Sequence, residues 1–179
     1  QYSSILSSIG FDTKKPLDEQ KCTISEEFDT PVLLRLSTRV AHSQSAVELL
    51  PREEVPVHDY QKNVAKNVMV PANARPKHVI VEQRTQALEA FNNTCDLNRV
   101  EMNDTKIGII TAGIAYQYAR EALPNASFLK LGMINPLPEQ LIRDFAAKVD
   151  VCYVIEELDP VLERQIRAMG IAVCGKDKL

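Results

Sequence analysis

The run KIGIITAGIAY at 106–116 holds the residues that most invite a chemical reading. Gly108 and Gly113 stand at the spacing of the first half of a phosphate-binding P-loop. Thr111 and the backbone amides beside Gly113 would meet an anion at the start of a helix. The Lys and Ser/Thr that complete a P-loop are here Ile114 and Ala115, so no ammonium reaches a β/γ-phosphate and no hydroxyl holds Mg²⁺. A dinucleotide fingerprint also fails, because it needs three glycines in G-x-G-x-x-G spacing and Gly108 lies inside the strand itself. Thr111 and Gly113, with Tyr116 in the same loop, remain candidates for a small-anion or CoA-phosphate pocket. The plainer reading is a strand-to-helix turn that packs against another domain.

Other polar residues offer less. Arg39 and His42, in TRVAHS after an apolar run, sit where an α/β sheet presents ligand loops, and Arg39 could fork onto a carboxylate. An interdomain salt bridge for Arg39 and a loop position for His42 account for them more simply. Glu156 and Glu157 point to opposite faces of a strand and cannot pair as acid and base; Asp159 suits a helix N-cap, so the acidic group reads as capping or interface. His58 and His78 lie in polar, proline-rich surroundings with no His or Cys at i+3 or i+4, which gives metal binding little support. Cys22, Cys95, Cys152 and Cys174 form no C-x-x-C pair and read as reduced, mostly buried thiols; the chain by itself holds no iron–sulfur cluster.

Bulk properties narrow the field further. A chain of 179 residues suits one domain, or one domain and a piece of another. A net charge of −3 and few aromatics argue against a nucleic-acid partner. No apolar run approaches the roughly 18 residues of a membrane span, and the first ten residues lack the features of a secretory signal, so a cytoplasmic protein is the expectation.

These residues need a frame, and the pattern from about residue 105 supplies it. KIGIITAG reads as a strand closed by glycine, and 114–123 as a helix with Ala115, Tyr118, Ala119 and Ala122 on one side. Residues 127–133 form the next strand, and Gly132, Asn135 and Pro136 the chain reversal after it. The prolines then open a helix with Leu141, Ile142, Phe145 and Val149 as its stripe. Residues 151–155 are a third strand, continuous in apolar residues as a parallel strand covered on both faces should be. Asp159 and Pro160 start a further helix with Leu162, Ile166 and Met169 inward and Gly170 as its stop, and 171–174 make a fourth, short strand. Strand alternating with helix predicts a doubly wound, mostly parallel α/β sheet. Upstream, 31–37 (PVLLRLS) reads as a buried strand and 51–76 as a proline-rich linker. The stretch 76–95 reads as a helix with Val79, Ile80, Gln83, Ala87, Leu88 and Phe91 on one face.

The runs FDTPVLLRLSTRVAHSQS (28–45), LNRVE (97–101), 106–150, VIEELDP (154–160) and GKD (175–177) together resemble the α subunit of indolepyruvate:ferredoxin oxidoreductase. The resemblance implies thiamine-diphosphate-dependent oxidative decarboxylation of arylpyruvates to aryl-acetyl-CoA, with electrons passed through iron–sulfur clusters to ferredoxin. It implies that 1–52 is the end of the pyrimidine-binding α/β domain, 53–75 a linker, and 76–179 a unit similar to the transketolase C-terminal domain, which usually binds no cofactor. The family's diphosphate-binding G-D-G segment and its cysteine repeats are absent from this chain. The chain then carries no cofactor of its own. In the whole enzyme, thiamine diphosphate, Mg²⁺, 4Fe–4S clusters and CoA would be supplied elsewhere, and its partners would be the rest of the α subunit, a β subunit and ferredoxin. The contrasting expectation is a free-standing flavodoxin-like or regulatory module binding a small anion near Gly113. A different 2-oxo acid as substrate is a third.

Overall fold

The structure, a computed structural model, describes residues 24–42, 44 and 59–177. Cys22 and His58 fall outside the described residues. The chain divides into two compact units, one of residues 35–85 and one that joins the segment before 35 to residues from 86 onward.

In the 35–85 unit, α1 (Thr38–Ala41) and α2 (Val64–Asn67) are single turns, and α3 (Pro71–Asn92) begins there. The Asn63 side chain starts α2 by accepting a hydrogen bond from the Lys66 amide at 3.0 Å, the ordinary N-cap device. Helix α3 begins at Pro71 rather than near Pro76. Proline at the first position gives up an N–H that would be unbonded anyway, while Pro76 withdraws one bond from the second turn. The expected apolar face of this helix is only half used: Leu88 is buried, whereas Val79 and Ile80 are exposed. The expected strand at 31–37 is not formed. That segment has no strand pairing, and Leu33 is 94% exposed, because an extended segment needs a hydrogen-bonded neighbour and none pairs with it among the described residues.

The other unit is the expected sheet. Strands β1 (Arg99–Glu101), β2 (Asp104–Ala112), β3 (Ala126–Leu131) and β4 (Val151–Ile155) lie in the order β1-β3-β2-β4. The β2–β3 and β2–β4 pairs are parallel, and only β1 runs antiparallel, against β3. Three helices supply the crossovers: α4 (Ala115–Ala122), α5 (Glu139–Ala146) and α6 (Val161–Ala168). Helices α5 and α6 cover one face, where Ile110, Leu129, Leu131, Ile142, Phe145, Val154 and Ile166 form the larger core. Helix α4 covers the other, where Ile109, Tyr116, Ala119 and Phe128 pack together. The sheet is therefore doubly wound, and the inward residue of α4 is Tyr116, with Tyr118 56% exposed, not the reverse. Ala115 and Ala119 face inward as expected, and Tyr116, three residues before Ala119, shares their side at the helical period, while Tyr118 lies on the far edge of that stripe.

Small features lock the loops. Gly108 gives Val149 room to lie against β2, since a Cβ there would meet the valine side chain at 2.6 Å. After β3, three asparagines tie the chain reversal to the end of α3. The Asn92 amide donates to the carbonyls of Met133 (2.9 Å) and Pro136 (2.8 Å), and Asn98 Oδ1 accepts from the Gly132 amide at 2.9 Å. Asn93 Oδ1 accepts from Leu141 N at 3.0 Å, which fastens α5 as well. The Asn135–Pro136 peptide in this turn is cis. The short strand expected at 171–174 is reduced to a single parallel bridge, Tyr153 to Cys174, ahead of a turn at 176–177. There the buried Glu163 accepts from the Lys176 amide at 3.0 Å and pairs with Arg167 at 2.6 Å, while Arg167 also reaches Asp177 at 3.1 Å. The GKD run is thus clasped onto α6. Gly132 sits so close to Leu97 that an added Cβ would enter the space of its carbonyl oxygen. Gly132→Ala is expected to cost about 2 kcal/mol by forcing the backbone apart, read as a lower urea midpoint with an unchanged slope; an unmoved midpoint would contradict the close approach.

Candidate functional site

The carboxyl ends of β2 and β3 bring together polar groups that an α/β sheet ordinarily keeps dry. Thr111 and Lys130 are register partners on adjacent strands, and Arg99 of β1 is the partner of Lys130 on its other side. Tyr116, the second residue of α4, lies over this row with no exposed surface. Its hydroxyl donates to Glu101 Oε1 at 2.8 Å and accepts from Arg99 Nη2 and, at 3.1 Å, from Arg120 Nη1. Arg99 Nε also pairs with Glu101 Oε1 at 2.7 Å. The guanidinium of Arg99 stands 5.1 Å, and the Lys130 ammonium 5.7 Å, from the centre of the tyrosine ring.

Three basic side chains, Arg99, Arg120 and Lys130, therefore gather about Tyr116 with one carboxylate, Glu101. Lys130 is only 1% exposed and Thr111 is fully buried, and neither Lys130 Nζ nor Thr111 Oγ1 has a hydrogen-bond partner among the described residues. Burial first, then the Arg99 charge, pushes the Lys130 amine down to about 7, with Glu101 opposing. The Tyr116 phenol is raised, by burial first and then by its bond to Glu101.

Of the residues singled out in the sequence, Thr111 and Tyr116 belong to this cluster. Gly113 closes β2 with a φ of +61°, and nothing lies within 4 Å of the position a Cβ would take, so glycine is there for the turn itself. Arg39 lies in α1 and His42 follows it, exposed, both in the 35–85 unit. His78 faces Glu82 at 3.5 Å across one turn of α3, with both side chains exposed. Asp159 does not cap α6. Pro160 holds the N-cap position, and Glu156 caps instead, accepting from the amides of Val161 (3.1 Å), Leu162 (2.9 Å) and Glu163 (3.0 Å). Leu158, at φ +57°, turns the loop back so that the longer glutamate reaches those amides. The anion position at the start of α6 is thereby taken by a carboxylate of the chain itself. Arg99, Glu101, Arg120 and Lys130 were not picked out from the sequence. Lys130 carried a signal, a lone charge inside the apolar strand SFLKLG.

No family model matches the sequence. The chain is similar in sequence to proteins named as indolepyruvate oxidoreductase subunits. It is 37% identical over 160 residues to the indolepyruvate oxidoreductase subunit IorA of Archaeoglobus fulgidus, covering 86% of this chain and 26% of that protein. To the subunit of the same name from Methanothermobacter marburgensis it is 36% identical over 154 residues, covering 82% of this chain and 25% of that protein. The likeness read from the sequence is borne out by these relatives, and the chain spans about a quarter of their length. Among solved structures, a 2-oxoglutarate:ferredoxin oxidoreductase from Magnetococcus marinus, with 2-oxoglutarate, coenzyme A and succinyl-CoA bound, matches 60% of this chain and 20% of its own at 21% identity and a TM-score of 0.45.

Two substitutions probe this end of the sheet. Unfolded, the Lys130 amine has its ordinary 10.5; folded, it lies near 7, so between those values the unfolded chain holds the extra proton and stability rises with pH. Lys130→Met is expected to remove that rise and to melt higher than the parent, on the order of 5 °C higher at pH 7 and below, in thermal scans across pH 6 to 10. Glu156→Ala is expected to cost about 1 to 2 kcal/mol by uncapping α6, measured by chemical denaturation; a stability equal to that of the parent would show that the three amide bonds are replaced by water without loss.

Proposed function

We propose that this chain is part of the α subunit of an indolepyruvate:ferredoxin oxidoreductase and serves there as a structural and docking segment that performs no chemistry alone. The observation that carries the reading is the 37% identity over 86% of the chain to a subunit named for that reaction, of which the chain is 26%. In the whole enzyme, thiamine diphosphate with Mg²⁺ supplies the carbanion chemistry of decarboxylation, 4Fe–4S clusters carry the electrons to ferredoxin, and CoA accepts the acyl group. The segment works beside the rest of the α subunit and a β subunit in the cytoplasm, with 1–52 as the end of one domain, 53–75 as linker and 76–179 as the next domain. The substrate is an arylpyruvate by the names of the relatives; another 2-oxo acid is the alternative.

The described residues offer these cofactors little to hold them. Among the described residues no group of three His, Cys, Asp or Glu side chains is placed to hold a metal ion. The buried Cys152 thiol is pushed up to about 12, first by burial and then by Cys174, which disfavours the thiolate a cluster needs. A diphosphate would have to displace Glu156 from the start of α6. No helix among the described residues is long and apolar enough to cross a membrane. Docking agrees with the exposed side chains of Val64, Val68, Met69, Val70, Val79 and Ile80 in the 35–85 unit.

Two measurements test the reading. Grafted in place of the corresponding quarter of the Archaeoglobus fulgidus subunit, the segment should retain indolepyruvate-dependent reduction of ferredoxin in the assembled enzyme, and a folded, cofactor-loaded chimera with no turnover would refute membership. By calorimetry the 179-residue chain alone should take up no thiamine diphosphate, and tight binding would refute the docking role.

A further inference from the structure

We propose that the carboxyl ends of β2 and β3, beneath the first turn of α4, form a binding site for a small oxyanion, a phosphate or carboxylate group, held by Lys130 Nζ and Thr111 Oγ1. Buried polar atoms in folded proteins are almost always bonded, yet these two, on register partners of neighbouring strands, have no partner among the described residues. The nearby oxygens are already engaged. Glu101 Oε1 serves Arg99 and Tyr116, and the tyrosine hydroxyl serves Glu101, Arg99 and Arg120. What the site lacks is negative charge.

Helix α4 points the same way. It has no side-chain cap and no acidic residue in its first turn, whereas α6 receives the Glu156 carboxylate at the corresponding place. Its second residue, Tyr116, is the one whose ring lies 5.7 Å from the Lys130 ammonium. An oxyanion here would bond the ammonium and the hydroxyl and offset the surplus of Arg99, Arg120 and Lys130 over Glu101. Arg99 and Arg120 retain solvent contact and would draw the anion in. Because the Lys130 amine lies near 7, an anion that favours its charged form should be taken up together with a proton. The groups that set this balance are Arg99 and Glu101 on β1, Tyr116 and Arg120 on α4, and Tyr153, which shares the face from β4.

The test is titration calorimetry of the full 179-residue chain with inorganic phosphate and, separately, with acetate, at pH 6.5 and 8.5. At least one probe should bind, about tenfold more tightly at the lower pH and with proton uptake when buffers of different ionisation heat are compared. Lys130→Met should abolish the binding. Thr111→Val, which keeps the volume and removes the hydroxyl, should weaken it about tenfold and decides the matter if the lysine variant does not fold. A preference for phosphate assigns a phosphoryl ligand, and a preference for acetate a carboxylate; either supports the site. No heat from either probe, or wild-type affinity in the folded variants, overturns it. The outcome is independent of the grafting experiment, so either proposal can fail without the other.

Discussion

The sheet unit depends on one strand being paired in parallel along both of its edges. Strand β2 bonds to β3 on one side and β4 on the other, and its consecutive Ile109 and Ile110 are both fully buried, one in each core. Burying a side chain of this size is worth about 2 to 3 kcal/mol, and here two successive residues contribute on opposite faces. Parallel neighbours require crossovers, so the helices follow from the pairing. Leaving β2 by α4 leads to β3, while returning from β3 by α5 leads over the opposite face to β4. Every loop at the carboxyl end takes its position from that alternation.

The strand-to-helix turns after β2 and β4 are built differently. After β4 the chain supplies its own anion, Glu156, and the start of α6 is electrostatically complete. After β2 it supplies a glycine turn and buried cationic and hydroxyl groups. A buried ammonium with no bonded partner is among the more costly features a small sheet can carry. Tyr116 moderates that cost, since its ring faces both Lys130 and Arg99 while its hydroxyl joins Glu101 to the two arginines. The result is a charged layer within one core and an apolar layer in the other.

The sheet unit was largely legible from the sequence because its elements announce themselves locally. KIGIITAG and VCYVI are apolar runs of strand length, and the stripe Ile142 and Phe145 has helical spacing. What escaped depends on neighbours distant in sequence. Strand β1 is three residues of mixed polarity that acquire strand character only by lying against β3. PVLLRLS carries a strand-like pattern, yet pattern alone supplies no edge to bond. Proximity in the sequence points to Asp159 as the cap of α6, whereas the loop geometry at Leu158 hands the task to Glu156. The cluster around Tyr116 draws on residues from 99 to 130, and only the lone lysine in SFLKLG hinted at it. The helix face at Val79 and Ile80 was read correctly as apolar, but apolar periodicity does not say what covers it.

The brevity of β1 has a consequence for how this unit behaves in company. A sheet margin is a row of unsatisfied amides and carbonyls that recruits any extended chain nearby. Three residues bearing Arg99 and Glu101 offer such a recruit little length and a charged rim, and the antiparallel direction ends the parallel series there. The margin on that side is thereby made inhospitable to strand addition. On that side, side-chain contacts, where shape and charge can discriminate, face little competition from backbone pairing, which accepts nearly any sequence.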